Sequence, residues 1–208
     1  MTHAPHHPTE HFEPVEQPEG YTLFAVLAFP RPLTAPAPDQ LAEFENVTGA
    51  LGDDVTLRGL YDVTGMRAEA DLLIWLHGPQ PEALQRALRA LRRTAVLDRA
   101  TCIWSAMGVH REAEFNKSHI PGFLRGHDAK GWLCLYPFVR SFEWYLLPDD
   151  ERAAMLAEHG RRGARFTEVL ANTVSTFGLS DYEWLLPLES DDPIHLVDMM
   201  RDLRATQA

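Results

Sequence analysis

The chain has 208 residues, a formal net charge of -11 and 45% hydrophobic residues. That is enough for one large domain or two small ones with a real core. The acidic balance argues against a nucleic-acid phosphate backbone as the main partner. The chain has no apolar run of the roughly 18 residues that a membrane span needs, and its N-terminus lacks the basic-then-apolar order of a signal peptide. Cys102 and Cys134 form no C-x-x-C pair, so a cytoplasmic chain with free, buried thiols is expected.

Residues 1–20 are rich in Pro, His and Glu without apolar period and read as a disordered arm. His3, His6, His7 and His11 fit a solvated tail better than a metal site. Residues 21–29 are a continuous apolar run closed by Pro30 and Pro32, the pattern of a buried strand. A helix is predicted over 39–51, with Leu41, Phe44, Val47 and Leu51 on one face. Strands at 55–61 and 71–76 flank a turn at Gly65-Met66-Arg67. An amphipathic helix over 81–94 carries Leu84, Ala87, Leu88 and Leu91, and 101–109 is again a strand. The order β-α-β-β-α-β over 21–110 is the ferredoxin-like unit. Residues 111–130 follow as a long loop with Phe115, Asn116, His119, Ile120, Pro121 and Phe123. Loops of that length are often functional.

The pattern then restarts over 131–208. Residues 132–138 read as a strand, with Pro137 ending it after Tyr136, and 141–146 as an extended stretch. A helix is predicted over 149–159, strands over 169–177 and 183–188, and a last helix over 193–204. Trp132 follows Tyr21 by 111 residues, Glu183 follows Leu72 by 111 and Pro193 follows Pro81 by 112. The helix ends also match: Arg89-Ala90-Leu91-Arg92-Arg93-Thr94 against Arg201-Asp202-Leu203-Arg204-Ala205-Thr206. Self-similarity at a fixed period points to a duplicated unit. The last strand of the second unit is absent, which predicts an open sheet edge.

Chemistry concentrates around Tyr136, Arg140 and the helix over 149–159. Asp149, Asp150 and Glu151 open that helix and suit its positive end. Gly160 is a favourable C′ residue, which puts His159 in the last turn on the face of Met155 and Leu156. The residues alone leave two readings of His159: a histidine interacting with the helix dipole, or a metal or haem ligand on an apolar wall. Likewise His119 can cap a turn before Pro121, Tyr136 can be a core aromatic and Arg140 a surface ion-pair partner.

Several motifs in fixed order cover almost the whole chain. They are Gly65-x-Arg67-x-x-Ala70-Asp71-x-x-x-Trp75, residues 115–121, residues 136–147, His159-Gly160, and Ala171-Asn172-Thr173 followed by Asp181-Tyr182-Glu183-Trp184. Together they resemble the chlorite dismutase-like haem proteins, and among them the coproheme decarboxylases of actinobacterial type. The resemblance implies an α+β fold in which two tandem ferredoxin-like repeats form a dimeric α+β barrel. It implies a peroxide-dependent oxidative decarboxylase that converts Fe-coproporphyrin III, both substrate and redox centre, to haem b. Coproheme and hydrogen peroxide would be its small-molecule partners, coproporphyrin ferrochelatase the supplier, and a homopentamer its assembly.

The same resemblance makes His159 the proximal iron ligand and Tyr136 the tyrosine whose radical takes hydrogen from a propionate. It makes His119 the distal base for the peroxide proton and Arg140 a basic residue beside a reactive propionate. Trp144 and Asn172 would line the cofactor. The residue types suit these tasks. Imidazole titrates at about 6.5 when unperturbed and can accept a proton near neutrality; as a neutral ligand it also serves iron. Arginine stays charged and pairs with carboxylates in a fork. Two departures stand out. Chlorite dismutases have an arginine at the position of Asn172, which disfavours chlorite chemistry. The chain also reads Gly163-Ala164-Arg165 where coproheme enzymes often have a Gly-Arg pair. Two other readings stay open: a haem- or coproheme-binding protein without turnover, and a chlorite dismutase.

Overall fold

Residues 22–27 are buried without alternation, so β1 (Tyr21–Ala28) is covered on both faces. It lies between β3 (Leu72–Gly78) and β4 (Thr101–Val109), antiparallel to both, and β2 (Thr56–Asp62) pairs with the far side of β3. The computed structural model describes residues 20–111 and 120–208. Helix α2 (Pro81–Leu91) starts with proline at its first position, where the missing N–H costs nothing. Its buried face of Ala83, Leu84, Ala87 and Leu91 packs on Leu23, Leu27, Ile74 and Leu76. Helix α1 (Pro38–Gly49) adds Phe44 and Val47 to the edge of this cluster.

The second half repeats the plan. Strand β5 (Trp132–Phe138) pairs along its whole length with β8 (Trp184–Ser190). Between them come a one-turn helix α3 (Phe142–Tyr145), α4 (Asp149–Gly163), and the short strands β6 (Leu170–Ala171) and β7 (Val174–Ser175). Helix α5 (Pro193–Leu203) places Leu196, Met199 and Leu203 on Leu188 and Cys134. Strand β7 joins β4, giving one antiparallel sheet in the order β2-β3-β1-β4-β7-β8-β5, with β6 on β8. The sheet is curled enough that Arg58 on β2 reaches Glu189 on β8. Among the described residues no further strand lies beyond β5, the open edge expected from the sequence.

Four local expectations are corrected. Helix α4 does not stop at Gly160 but runs to Gly163, and the Ala164 amide still donates to the Gly160 carbonyl at 2.9 Å. Gly160 lacks positive φ; Arg161 and Arg162 occupy the last turn, where cations suit the dipole. Within 141–146, residues Phe142–Tyr145 are helical rather than extended, because Ser141 accepts the Trp144 amide at 3.2 Å as an N-cap. The single strand expected over 169–177 splits into β6 and β7 around Asn172. Strand β5 also continues through Pro137, paired with Leu185. Proline is tolerated there because β5 ends the sheet. The N-terminal arm expected over 1–20 lies, but for Gly20, outside the described residues.

Candidate functional site

Side chains alternate across a strand, and β5 shows the consequence. Leu133 and Leu135 face the core around Phe24, Trp75 and Leu185. Cys134 faces α5, and Tyr136 follows it. The exposed Arg204, just past the end of α5, donates from Nη2 to the Tyr136 hydroxyl at 2.7 Å, with its guanidinium 5.5 Å from the ring centre. The same turn carries Thr206, whose Oγ1 lies 3.1 Å from Nδ1 of His159 on α4. The C-terminal turn of α5 therefore touches both Tyr136 and His159.

Arg140 and Trp144 complete this group. The Arg140 guanidinium sits 4.0 Å over the Trp144 ring and 5.7 Å from Phe138. Ser141 caps the short helix that sets Trp144 one turn beyond Arg140. Glu183, at the start of the β8 hairpin, accepts the Arg140 amide at 2.9 Å and the Tyr145 hydroxyl. Burial first, and then the Arg140 charge, hold the His159 imidazole below its ordinary pKa. The histidine is thus neutral at physiological pH, the form that binds metal. It is half-buried, and α4 has no fully buried residue, so the expected apolar wall of Met155 and Leu156 is only partly covered.

Asn172 stands apart from these four. It is fully buried, and both its amide hydrogens are used, on Glu189 Oε2 at 2.9 Å and the Leu170 carbonyl at 3.3 Å. Its Oδ1 accepts the Phe123 amide at 2.8 Å. Its partner Glu189 also accepts two bonds from Arg58, at 2.7 and 3.0 Å to Oε2, and one from Tyr61 at 3.2 Å. Arg58 and Glu189 are 5% and 0% exposed, a buried ion pair closing the sheet. His119 lies outside the described residues. Sequence reasoning missed Arg204, Thr206, Glu183 and the Arg58–Glu189 pair. Only the repeated helix ends pointed at the segment that carries Arg204 and Thr206.

The chlorite dismutase family profile matches residues 38–208. The chain belongs to the chlorite dismutase family. It is 54% identical over 155 residues to the coproheme decarboxylase of Mycolicibacterium smegmatis, a match covering 74% of this chain and 67% of that protein. It is 27% identical over 214 residues to the coproheme decarboxylase of Thermus thermophilus, covering 92% of this chain and 85% of that one. A protein of Haloquadratum walsbyi named for heme binding is 29% identical, over 65% of this chain and 30% of its own length. Among solved structures, a chlorite dismutase from Candidatus Nitrospira defluvii in complex with imidazole has a TM-score of 0.78 at 18% identity. That match covers 90% of this chain and 83% of the other, and it carries the fold alone.

The residues present fit an iron porphyrin. Among the described residues no three His, Cys, Asp or Glu side chains are grouped so as to hold a bare metal ion. A single imidazole holds iron when a macrocycle supplies the equatorial donors. The Trp144 indole N–H is buried and has no acceptor among the described residues, an opening for a carboxylate oxygen. Arg140 stacks on that same indole. The hollow of about 410 Å³ between α1 and α2 is lined by Val47, Leu51, Ala83 and Ala87 and by none of these residues.

Proposed function

We propose that this chain is a coproheme decarboxylase. It would act on Fe-coproporphyrin III with hydrogen peroxide and yield haem b. The observation that carries the reading is the meeting of His159 and Tyr136 at one turn of α5, in a chain 54% identical to an enzyme of that name. Each of the two reacting propionates loses carbon dioxide and two hydrogens to become a vinyl group, and one peroxide per propionate takes up those hydrogens as two waters. Coproheme supplies the redox chemistry when bound.

The chain's own residues have narrower tasks. His159 offers a neutral imidazole to the iron. Tyr136 gives the phenolic hydrogen, and its oxidised form takes one from the propionate. Arg204 holds that hydroxyl in place through a 2.7 Å bond. Arg140 and the Trp144 N–H bind and orient carboxylate. His119 takes the peroxide proton. We further propose a homopentamer, a cytoplasmic location and supply of substrate by coproporphyrin ferrochelatase, from the family resemblance. Chlorite turnover is disfavoured, because Asn172 offers no cation and its amide is committed to Glu189.

The test is direct. Protein loaded with ferric coproheme is titrated with peroxide, and the porphyrin mass is followed. Loss of two carboxyl groups is expected from the parent. Tyr136→Phe keeps the ring but removes the hydroxyl; it should bind coproheme as the parent does and yield no haem b. Haem b at the parent rate from the phenylalanine variant would remove Tyr136 from the reaction. Coproheme bound without any mass loss in the parent would leave a binding protein, in keeping with the Haloquadratum relative.

A further inference from the structure

The contact between Thr206 and His159 fixes more than a position. Thr206 Oγ1 makes two contacts: 2.7 Å to the Leu203 carbonyl and 3.1 Å to His159 Nδ1. A hydroxyl has one proton, and a carbonyl can only accept. For both contacts to be hydrogen bonds, Thr206 must give its proton to Leu203 and Nδ1 must carry a proton for Thr206. The first repeat supports that direction independently. Thr94 occupies the matching position after α2, and its Oγ1 donates to the Leu91 carbonyl at the same 2.7 Å. Among the described residues, the Thr94 hydroxyl makes no hydrogen bond to a histidine. The threonine is thus a helix-end device of the repeat, and in the second copy its oxygen is used once more.

We propose that Thr206 is a positioning residue that locks His159 as the Nδ1–H tautomer and leaves Nε2 as the iron-binding nitrogen. This rests on the reading of His159 as the ligand of coproheme. Nε2 makes no hydrogen bond among the described residues, which keeps its lone pair available. Outer partners of this kind fix the ring and raise ligand basicity; losing one typically weakens binding tenfold to a hundredfold, on the order of what is expected here. Thr206 also ties the ligand to α5 rather than to α4 alone. Arg162 and Arg165 on the α4 side reach Asp202 at the same end of α5. The two helices therefore hold the imidazole from both sides.

The experiment uses the whole protein labelled with nitrogen-15 at histidine, without porphyrin, at a pH where imidazole is neutral. Two-bond correlations then show which ring nitrogen of His159 carries the proton. The parent should show Nδ1–H. Thr206→Val, close in shape but without the hydroxyl, should show a mixture or Nε2–H, and Thr206→Ser should restore Nδ1–H. Thr94→Val loses the same helix-end bond and should leave His159 unchanged, which separates orientation from helix stability. Ferric coproheme affinity should fall tenfold or more in Thr206→Val and recover in Thr206→Ser. A parent His159 protonated on Nε2, or a valine variant that keeps Nδ1–H, overturns the proposal. The tautomer needs no porphyrin. A parent that binds no coproheme would sink the decarboxylase reading, while the nitrogen spectrum would still decide the role of Thr206.

Discussion

Replacing Glu189 by glutamine would remove a charge that no described group could replace. Its two oxygens accept from Arg58, Tyr61, the Lys130 amide and Asn172. Glutamine keeps one acceptor oxygen and turns the other into a donor, so donors would face donors and Arg58 would be left buried with a weakened partner. Breaking one side of a buried pair typically costs about 3–5 kcal/mol. Urea unfolding of Glu189→Gln should show a loss of that order. A loss below about 1 kcal/mol would mean that the pair is not closed in solution. Tyr61 reports on the same group: burial first, and then the Glu189 charge, push its phenol well above its ordinary pKa. Nothing in the sequence announced this cluster, because Arg58 and Glu189 are 131 residues apart and neither sits in a motif. Tyr136 and His159 were singled out for the opposite reason: each stands in a short motif that can be read locally.

Helix α4 runs through Gly160, and this makes a test of the element. Glycine inside a helix is destabilising by roughly 0.5–1 kcal/mol relative to alanine. A Cβ at Gly160 would meet nothing within 4 Å. Gly160→Ala should therefore stabilise the protein by about that amount in urea unfolding and leave coproheme affinity unchanged, since the residue is exposed beside His159. A destabilised variant would show that the turn around Gly160 is strained. The order of strands and helices was readable because their apolar periods are long: β1 and α2 repeat their signal over two or more turns or pleats. The errors fell where a signal was short and ambiguous. Gly160 offered a stop that helix packing on α5 overrode. Ser141 offered a cap that the apolar residues after it concealed. Asn172 interrupts a strand through bonds to Phe123 and Glu189, both distant in sequence. The reading of 112–119, with His119, lies outside the described residues.

The curl of the sheet brings one titratable group into the interior, and the whole molecule should feel it. His77 on β3 packs against Phe123 with the rings tilted by 50° and their centres 5.0 Å apart, and lies near Arg58. Burial first, and then the Arg58 charge, lower its pKa to about 4 from an ordinary 6.5. Below about pH 6.5 the unfolded chain takes up a proton on this histidine and the folded chain does not, down to about pH 4. The unfolded state then binds more protons, so stability falls as pH drops through that window and is flat above it. His159, also lowered, tilts the curve the same way. Asp71, held low by hydrogen bonds from Arg31 and the Phe29 amide, adds its loss at more acid pH. From pH 7 to pH 5 the His77 share should be about 1–2 kcal/mol, discounted for the part of the ring that water reaches. His77→Gln carries no titrating proton, so urea unfolding of the variant at pH 7 and pH 5 should lose less by that amount than the parent. If parent and variant lose equally, His77 is solvated in the folded state and the acid sensitivity of this fold resides in its carboxylates and His159.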